Sequence, residues 1–253
     1  MKNQYVGDIG DYGKYSLLKA FADSGVRVGV NWYLTEDDGS TDGKFNDYLK
    51  TDKYRCYDSE TFDGLKAIVY PDCENLNSDR SVLDIENSGL IPRALYYSDV
   101  LGCKSSPNER SAARSLWFQE SLHILHNADL VFMDPDNGLL VSNNPRLKNS
   151  NKYALPSEVN DVYRSGRNVV YYCHKVRRKE SAWKVYLRYM LQDELLPDAM
   201  PIVLTFHKGT QRSYVFLIHN GDYRRYKRII SEFTNCWGGV FEDQTSFVHI
   251  NVI

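Results

Sequence analysis

The chain has 253 residues, a net charge of −2, and 42% hydrophobic and 25% charged residues. That length allows a sizeable core without staples, as one large domain or two small ones. Five dispersed cysteines with no CxxC pair argue against a disulfide framework and a zinc ribbon, and the balanced charge confines any nucleic-acid site to a local basic patch.

The opening, MKNQYVGD, lacks the apolar core of a signal peptide. No apolar run approaches the roughly 18 residues of a membrane span. A cytoplasmic protein is expected, built as one α/β domain over 1–253.

Tyr5-Val6 reads as short and β-like. Gly7, Gly10 and Gly13 follow at a spacing of three, with Asp8 and Asp11 between them, and a helix is predicted over 14–22. VRVGVNWYL, 26–34, reads as a buried strand, and the polar TEDDGSTDGK after it as a loop. Another helix is expected over 62–68. Residues 78–103 read as helical pieces broken at 89–92. A long amphipathic helix is predicted over 111–128, then the strand DLVFMD, 129–134, which stops at Pro135. PSEVNDVYRSG predicts a short helix capped by Ser157 and ended by Gly166. NVVYYCH, 168–174, is the next strand, followed by a basic helix over about 179–195. PIVLTFH and SYVFLIH are strands around the turn KGTQR, YRRYKRIISEF is a helix, and GGVFEDQTSFVHINVI is expected to close the chain as a hairpin.

Apolar strands alternating with helices indicate an α/β fold: a mostly parallel central sheet, helices on both faces, and antiparallel strands near the C-terminus. Ligands of such sheets bind beyond the carboxyl ends of the strands, so the residues there are the candidates. The sharpest is MDPDNG. An apolar strand running into Asp-Pro holds the Asp134 carboxylate at the rim, with Asp136 and Asn137 in the turn after it. His174-Lys175 and His207-Lys208 each follow an apolar strand. Asn31, Trp32 and Tyr33 end the first long strand, and Gln211 and Arg212 follow the turn after His207.

In the opening stretch, Asp8 and Asp11 repel phosphate, so the glycines do not form a phosphate cradle. Asp11 as an N-cap is one reading. The other is a carboxylate in a close-approach loop, with Lys14 as its counter-charge. His123 and His126 share a helix face without a third ligand, so no metal site is expected. Lys175, Arg177, Arg178 and Lys179 form a basic cluster next to His174 and suit phosphate contacts, as do Lys208 and Arg212.

VFMDPDNG resembles the strand-then-DPPY motif of adenine amino-methyltransferases. GDIGDYGKYSLL is similar to the N-terminal segment of a bacterial ribosomal-RNA adenine methyltransferase family. Asp136 stands where that motif has its second proline and Asn137 where it has an aromatic. Residues 31–35 replace the glycine loop that S-adenosylmethionine would need. The order strand–Asp-Pro, then later strand–His, resembles the uracil-DNA glycosylase superfamily. That resemblance implies excision of a flipped base from DNA without a cofactor, in repair or in defence against phage. The carboxylates Asp134 and Asp136 would stabilise the cationic sugar and position water, and His174 or His207 would stabilise the leaving base. Asp8 and Asp11 would close the cavity. Tyr12, Trp32 or Tyr33 would hold the base, whose edge Asn137 would read, with Lys14, Asn31 and Gln211 alongside. Methyl transfer, Mg²⁺-dependent strand cleavage by Asp8, Asp11, Asp134 and Asp136, and a binding module without turnover remain open.

Overall fold

The glycine-rich opening folds as the first turns of a helix. In the computed structural model, which describes residues 1–39, 43, 45–103, 106–140, 142–174, 196 and 198–246, helix α1 spans Ile9–Asp23. It begins five residues before the predicted start because Asp8, not Asp11, is the N-cap. The Asp8 carboxylate accepts from the Gly10 N–H at 2.9 Å, satisfying a backbone donor that the helix leaves open. Asp11 then lies in the first turn, where the helix dipole favours negative charge. The expected β-like Tyr5-Val6 is instead the end of a 3-10 turn, Asn3–Tyr5.

Among the described residues, seven strands form one mixed sheet: β1 (Val28–Asn31), β2 (Leu95–Tyr97), β3 (Leu130–Met133), β4 (Asn168–His174), β5 (Met200–Phe206), β6 (Arg212–Ile218) and β7 (Phe241–Asp243). Their order is β2-β1-β3-β4-β6-β5-β7. The first four are parallel. β6 runs against β4 and β5, and β7 against β5. The α/β class, with parallel strands first and antiparallel strands towards the C-terminus, agrees with the sequence reading. β7 pairs with β5; the second arm of the expected C-terminal hairpin, residues 247–253, lies outside the described residues. The basic helix expected over 179–195 also lies outside them.

The long strand read over 26–34 is cut to four residues. Tyr33 has a positive φ of 46°, which no ladder residue adopts. The remaining helices are α2 (Ser59–Val69), α3 (Val82–Ser88), α4 (Pro107–Ile124), α5 (Pro156–Arg164) and α6 (Asn220–Cys236). α4 starts four residues early because Ser106 and Glu109 form a capping box around Pro107. Pro156 starts α5, with Leu155 as its cap residue, so Ser157 lies inside the helix.

Alternate residues of β3 enter different apolar clusters, as a two-residue period requires. Leu130 and Phe132 join Phe21 of α1 and Ile229 and Phe233 of α6. Val131 and Met133 join Trp117 of α4 and Val159 of α5. In this second layer, Arg114 donates to both oxygens of Glu158, at 2.6 and 2.8 Å, and the Tyr33 hydroxyl donates to the same carboxylate at 2.9 Å. The pair is buried, so its mutual satisfaction is what makes it tolerable.

The chain runs outward from β1 to β2, then returns across β1 to β3. That reversal opens a crevice at the carboxyl ends of β1 and β3. The loop leaving β3 is held by Gly138, whose φ is +106°. A Cβ there would lie 2.8 Å from Cys173 Sγ and 3.1 Å from its Cα. Gly138→Ala is therefore expected to destabilise the fold by about 1–3 kcal/mol, read as a lower urea midpoint. An unchanged midpoint would show that this loop yields freely.

Candidate active site at the strand ends

A cavity of about 500 Å³ lies at these strand ends, within the size range of small-molecule sites. Three of the segments that line it meet at the strand ends. The first is the start of α1, which contributes Asp8, Gly10, Asp11 and Lys14. The second is the turn after β3, with Asp134, Pro135, Asp136 and Asn137. The third is the β4–β6 ladder, with Tyr172, His174, Arg212 and Tyr214. The ladder register pairs His174 with Arg212 and Tyr172 with Tyr214, so the two-residue period puts all four on one face.

Lys14 is the centre of the charge arrangement. Its ammonium contacts Asp11 and Asp134, each at 2.7 Å, and all three side chains are almost fully buried. Burial pulls the Lys14 ammonium down, but Asp11 and Asp134 outweigh it and leave it pushed up to about 12. Burial pushes the Asp134 carboxyl up, against the opposing pull of Lys14. Two carboxylates on one ammonium leave the trio one negative charge in excess.

The two carboxylates differ in what remains open. Asp11 also accepts from the Gly7 N–H at 3.1 Å and the Tyr15 hydroxyl at 3.2 Å. Asp134 gives one oxygen, Oδ2, to Lys14. Its Oδ1 has no hydrogen-bond partner among the described residues, and Asp134 lines the cavity. Asp136 holds the loop in place: it contacts the Met1 nitrogen at 2.7 Å and accepts from Thr35 at 3.3 Å. The Asn137 backbone is held by the Lys152 carbonyl at 2.9 Å, and its half-buried side chain lines the cavity.

On the opposite wall, Arg212 is buried and contacts Asp8 at 3.3 Å. It also donates to the Thr210 carbonyl at 3.1 Å and the Thr210 hydroxyl at 2.9 Å. The guanidinium passes so close to α1 that a Cβ on Gly10 would lie 1.1 Å from Nη1. This close approach gives the opening glycine its reason. Tyr172 bonds His174 Nδ1 at 3.1 Å, and burial pushes the Tyr172 hydroxyl up to about 12, so it stays neutral.

No protein-family model matches the chain, and a search of the curated proteins found no match.

The structure brings Asp8, Asp11, Lys14, Asp134, Asp136, Asn137, His174 and Arg212 together at this cavity. Other sequence candidates lie elsewhere. The Tyr12 ring is in the core, and its hydroxyl donates to the Tyr54 and Asp58 carbonyls. Trp32 bonds Glu86, and Tyr33 bonds Glu158; both rings are fully buried. Asn31 is buried, and its side chain accepts from the Tyr33 N–H at 3.1 Å. His207 lies outside the cavity lining and contacts Glu242 of β7 at 2.9 Å. Lys208 and Gln211 belong to the β5–β6 turn and do not line the cavity. Arg212 faces Asp8 and not an open surface, so its predicted place among phosphate contacts gives way to a place in the cavity wall. Lys175, Arg177, Arg178 and Lys179 lie outside the described residues.

Sequence reasoning missed Tyr172, Tyr214 and Lys152. For the first two a signal existed: each stands two residues from a named candidate on the same strand, and so on the same face. Among the described residues, no group of three or more His, Cys, Asp or Glu is arranged to hold a metal ion, and no helix is long and apolar enough to cross a membrane. A shallower groove of about 850 Å³ lies between α1, α2 and α6. Its cations are already engaged: Lys19 bridges Asp23 and Glu60, and Arg55 holds Asp63.

Proposed function

We propose that this protein removes a single base from nucleic acid, DNA being the expected substrate, by hydrolysing the N-glycosidic bond within this cavity. One observation carries the reading. The buried residue Asp134 lines the cavity with an oxygen, Oδ1, that has no protein partner among the described residues, while Lys14 fixes its other oxygen at 2.7 Å.

Breaking the bond to the base builds positive charge on the sugar and negative charge on the departing base. The excess negative charge of the Asp11–Lys14–Asp134 trio favours the first. Asp134 Oδ1 orients a water towards the sugar carbon and accepts its proton as the new C–O bond forms. The electron pair of the broken C–N bond leaves with the base. His174, supported by Tyr172 at 3.1 Å, and the Arg212 guanidinium stabilise that anion from the opposite wall. Asn137 reads the base edge. The target base leaves the stack to enter a cavity of about 500 Å³. We also take the two groups of helices, α1 with α6 and α4 with α5, to cover opposite faces of the sheet and leave this end open.

Methyl transfer to an exocyclic amine of the same base is the second reading. It is favoured by the position of Asp134 and Pro135 at the β1–β3 reversal, where open sheets receive nucleotide cofactors. Against it, Met1 sits beside the carboxyl end of β1 and lines the cavity there: its nitrogen lies 3.2 Å from the Tyr33 carbonyl and 2.9 Å from the Asp134 carbonyl, and its own carbonyl accepts from the Thr35 N–H at 2.9 Å.

The test is incubation with single- and double-stranded DNA, modified and unmodified, with no cofactor added. Alkali-labile abasic sites are expected. Product formed only with S-adenosylmethionine would replace excision by methylation, and strand scission abolished by EDTA would replace it by nuclease action.

A further inference from the structure

Most cations that line the cavity are already matched. Lys2 contacts Asp38, Lys14 contacts Asp11 and Asp134, and Arg212 contacts Asp8. Lys152 lines the same cavity. Among the described residues its ammonium contacts no carboxylate and no other acceptor. It closes a 3-10 turn, Ser150–Lys152, and its carbonyl accepts from the Asn137 N–H at 2.9 Å. The residue that carries the charge is thereby tied to the loop that carries Asp134.

Phe45 is the second feature of this rim. It lines the cavity yet is 59% exposed. Its backbone is anchored, because the Ile9 N–H donates to the Phe45 carbonyl at 2.9 Å. The ring thus stands in water beside the cavity entrance, on a backbone tied to the start of α1.

An unmatched ammonium and an exposed ring at the mouth of a base-sized cavity suit a polynucleotide strand. Positive charge meets the backbone, and aromatic faces take bases of any sequence. We propose that Lys152 holds a backbone phosphate next to the base in the cavity, and that Phe45 stacks on the adjoining base outside it. This inference rests on the base-acting reading above. It adds that the ligand is a strand, because a mononucleotide has no second base to offer Phe45.

Fluorescence anisotropy with a labelled single-stranded oligonucleotide, over a range of salt concentrations, tests it on the full chain. Unlabelled nucleoside 5′-monophosphate serves as a competitor. In Lys152→Ala the negative slope of log K against log salt is expected to become shallower by about 0.7, the value of one single-strand phosphate contact, with similar weakening for every sequence. In Phe45→Ala, oligonucleotide affinity is expected to drop between about 5-fold and 100-fold with the slope unchanged, and mononucleotide competition is expected to stay as in the wild type. A slope unaltered by Lys152→Ala overturns the phosphate contact. Equal losses for oligonucleotide and mononucleotide in Phe45→Ala overturn the stacking on a second base. A wild-type protein that binds no oligonucleotide defeats both this inference and the reading beneath it, whereas binding that neither variant disturbs defeats this inference alone.

Discussion

Replacing Asp134 by asparagine is expected to reduce turnover by about 100-fold to 10,000-fold, the usual range for a positioned acid–base group, in a protein that stays folded. The amide matches the carboxylate in shape but carries no charge and accepts no proton from water. Lys14 keeps Asp11 at 2.7 Å, so the ammonium is not stranded, and the desolvation that pushes Asp134 up no longer applies. Steady-state rates on an oligonucleotide substrate and a thermal melt separate the two expectations. Full turnover in Asp134→Asn would reduce Asp134 to a hydrogen-bond acceptor and sink the hydrolytic role. In the wild type, Asp134 must be ionised to act. Because burial raises its folded value, the acid limb of the kcat/KM profile is expected above the ordinary carboxylate value of about 4, with activity lost as pH falls through that limb. A limb below about 4 would assign it to another group.

Lys14→Met is expected to be the most destabilising single change at this site. It removes a buried ammonium and leaves Asp11 and Asp134, both almost fully buried, without their shared counter-charge. Stranding a buried charge in this way costs about 3–5 kcal/mol, a fall in Tm on the order of 10 °C for a chain of this length. The comparison that isolates the cause is the triple change Lys14→Met, Asp11→Asn, Asp134→Asn, which is expected to recover most of the loss because it leaves no buried charge in the trio. The pH dependence follows from the raised Lys14 value. Its contribution is complete below the unfolded value of about 10.4 and is lost as pH rises to about 12. The urea midpoints of wild type and Lys14→Met should therefore converge in alkali. Circular-dichroism melts at neutral pH give the main number. A fall of less than about 1 kcal/mol would show that water enters the trio and screens it.

The strand ends were legible because proline writes them into the sequence. Asp134-Pro135 stops β3 where an apolar run meets the rim, and the parallel-sheet rule then directs attention to that edge. The opening stretch was legible in kind: acidic residues among glycines at a helix start mark a close approach. The group that approaches was not legible, because Arg212 is brought to Gly10 by the β4–β6 pairing and no local pattern announces that pairing. Tyr12, Trp32 and Tyr33 misled for a related reason. Aromatic residues near a strand end look available for stacking, but the turn with positive φ at Tyr33 and the hydrogen bonds to Glu86 and Glu158 draw two of them inward, and Tyr12 is pinned by backbone carbonyls. Propensity also placed two helix starts late, at α1 and α4. In both, a capping side chain upstream outweighed the apolar period on which the prediction relied.

The contacts that enclose the cavity join residues far apart along the polypeptide. Lys14 meets Asp134 across 120 positions, and Asp8 meets Arg212 across 204. During ribosomal synthesis, at about 5–20 residues per second, the glycine-bearing start of the protein waits some ten seconds or more for Arg212 to be made. An interrupted translation product ending before that residue has one wall missing and no seat for a substrate. Under the base-excision proposal, such late completion would keep unfinished copies inactive.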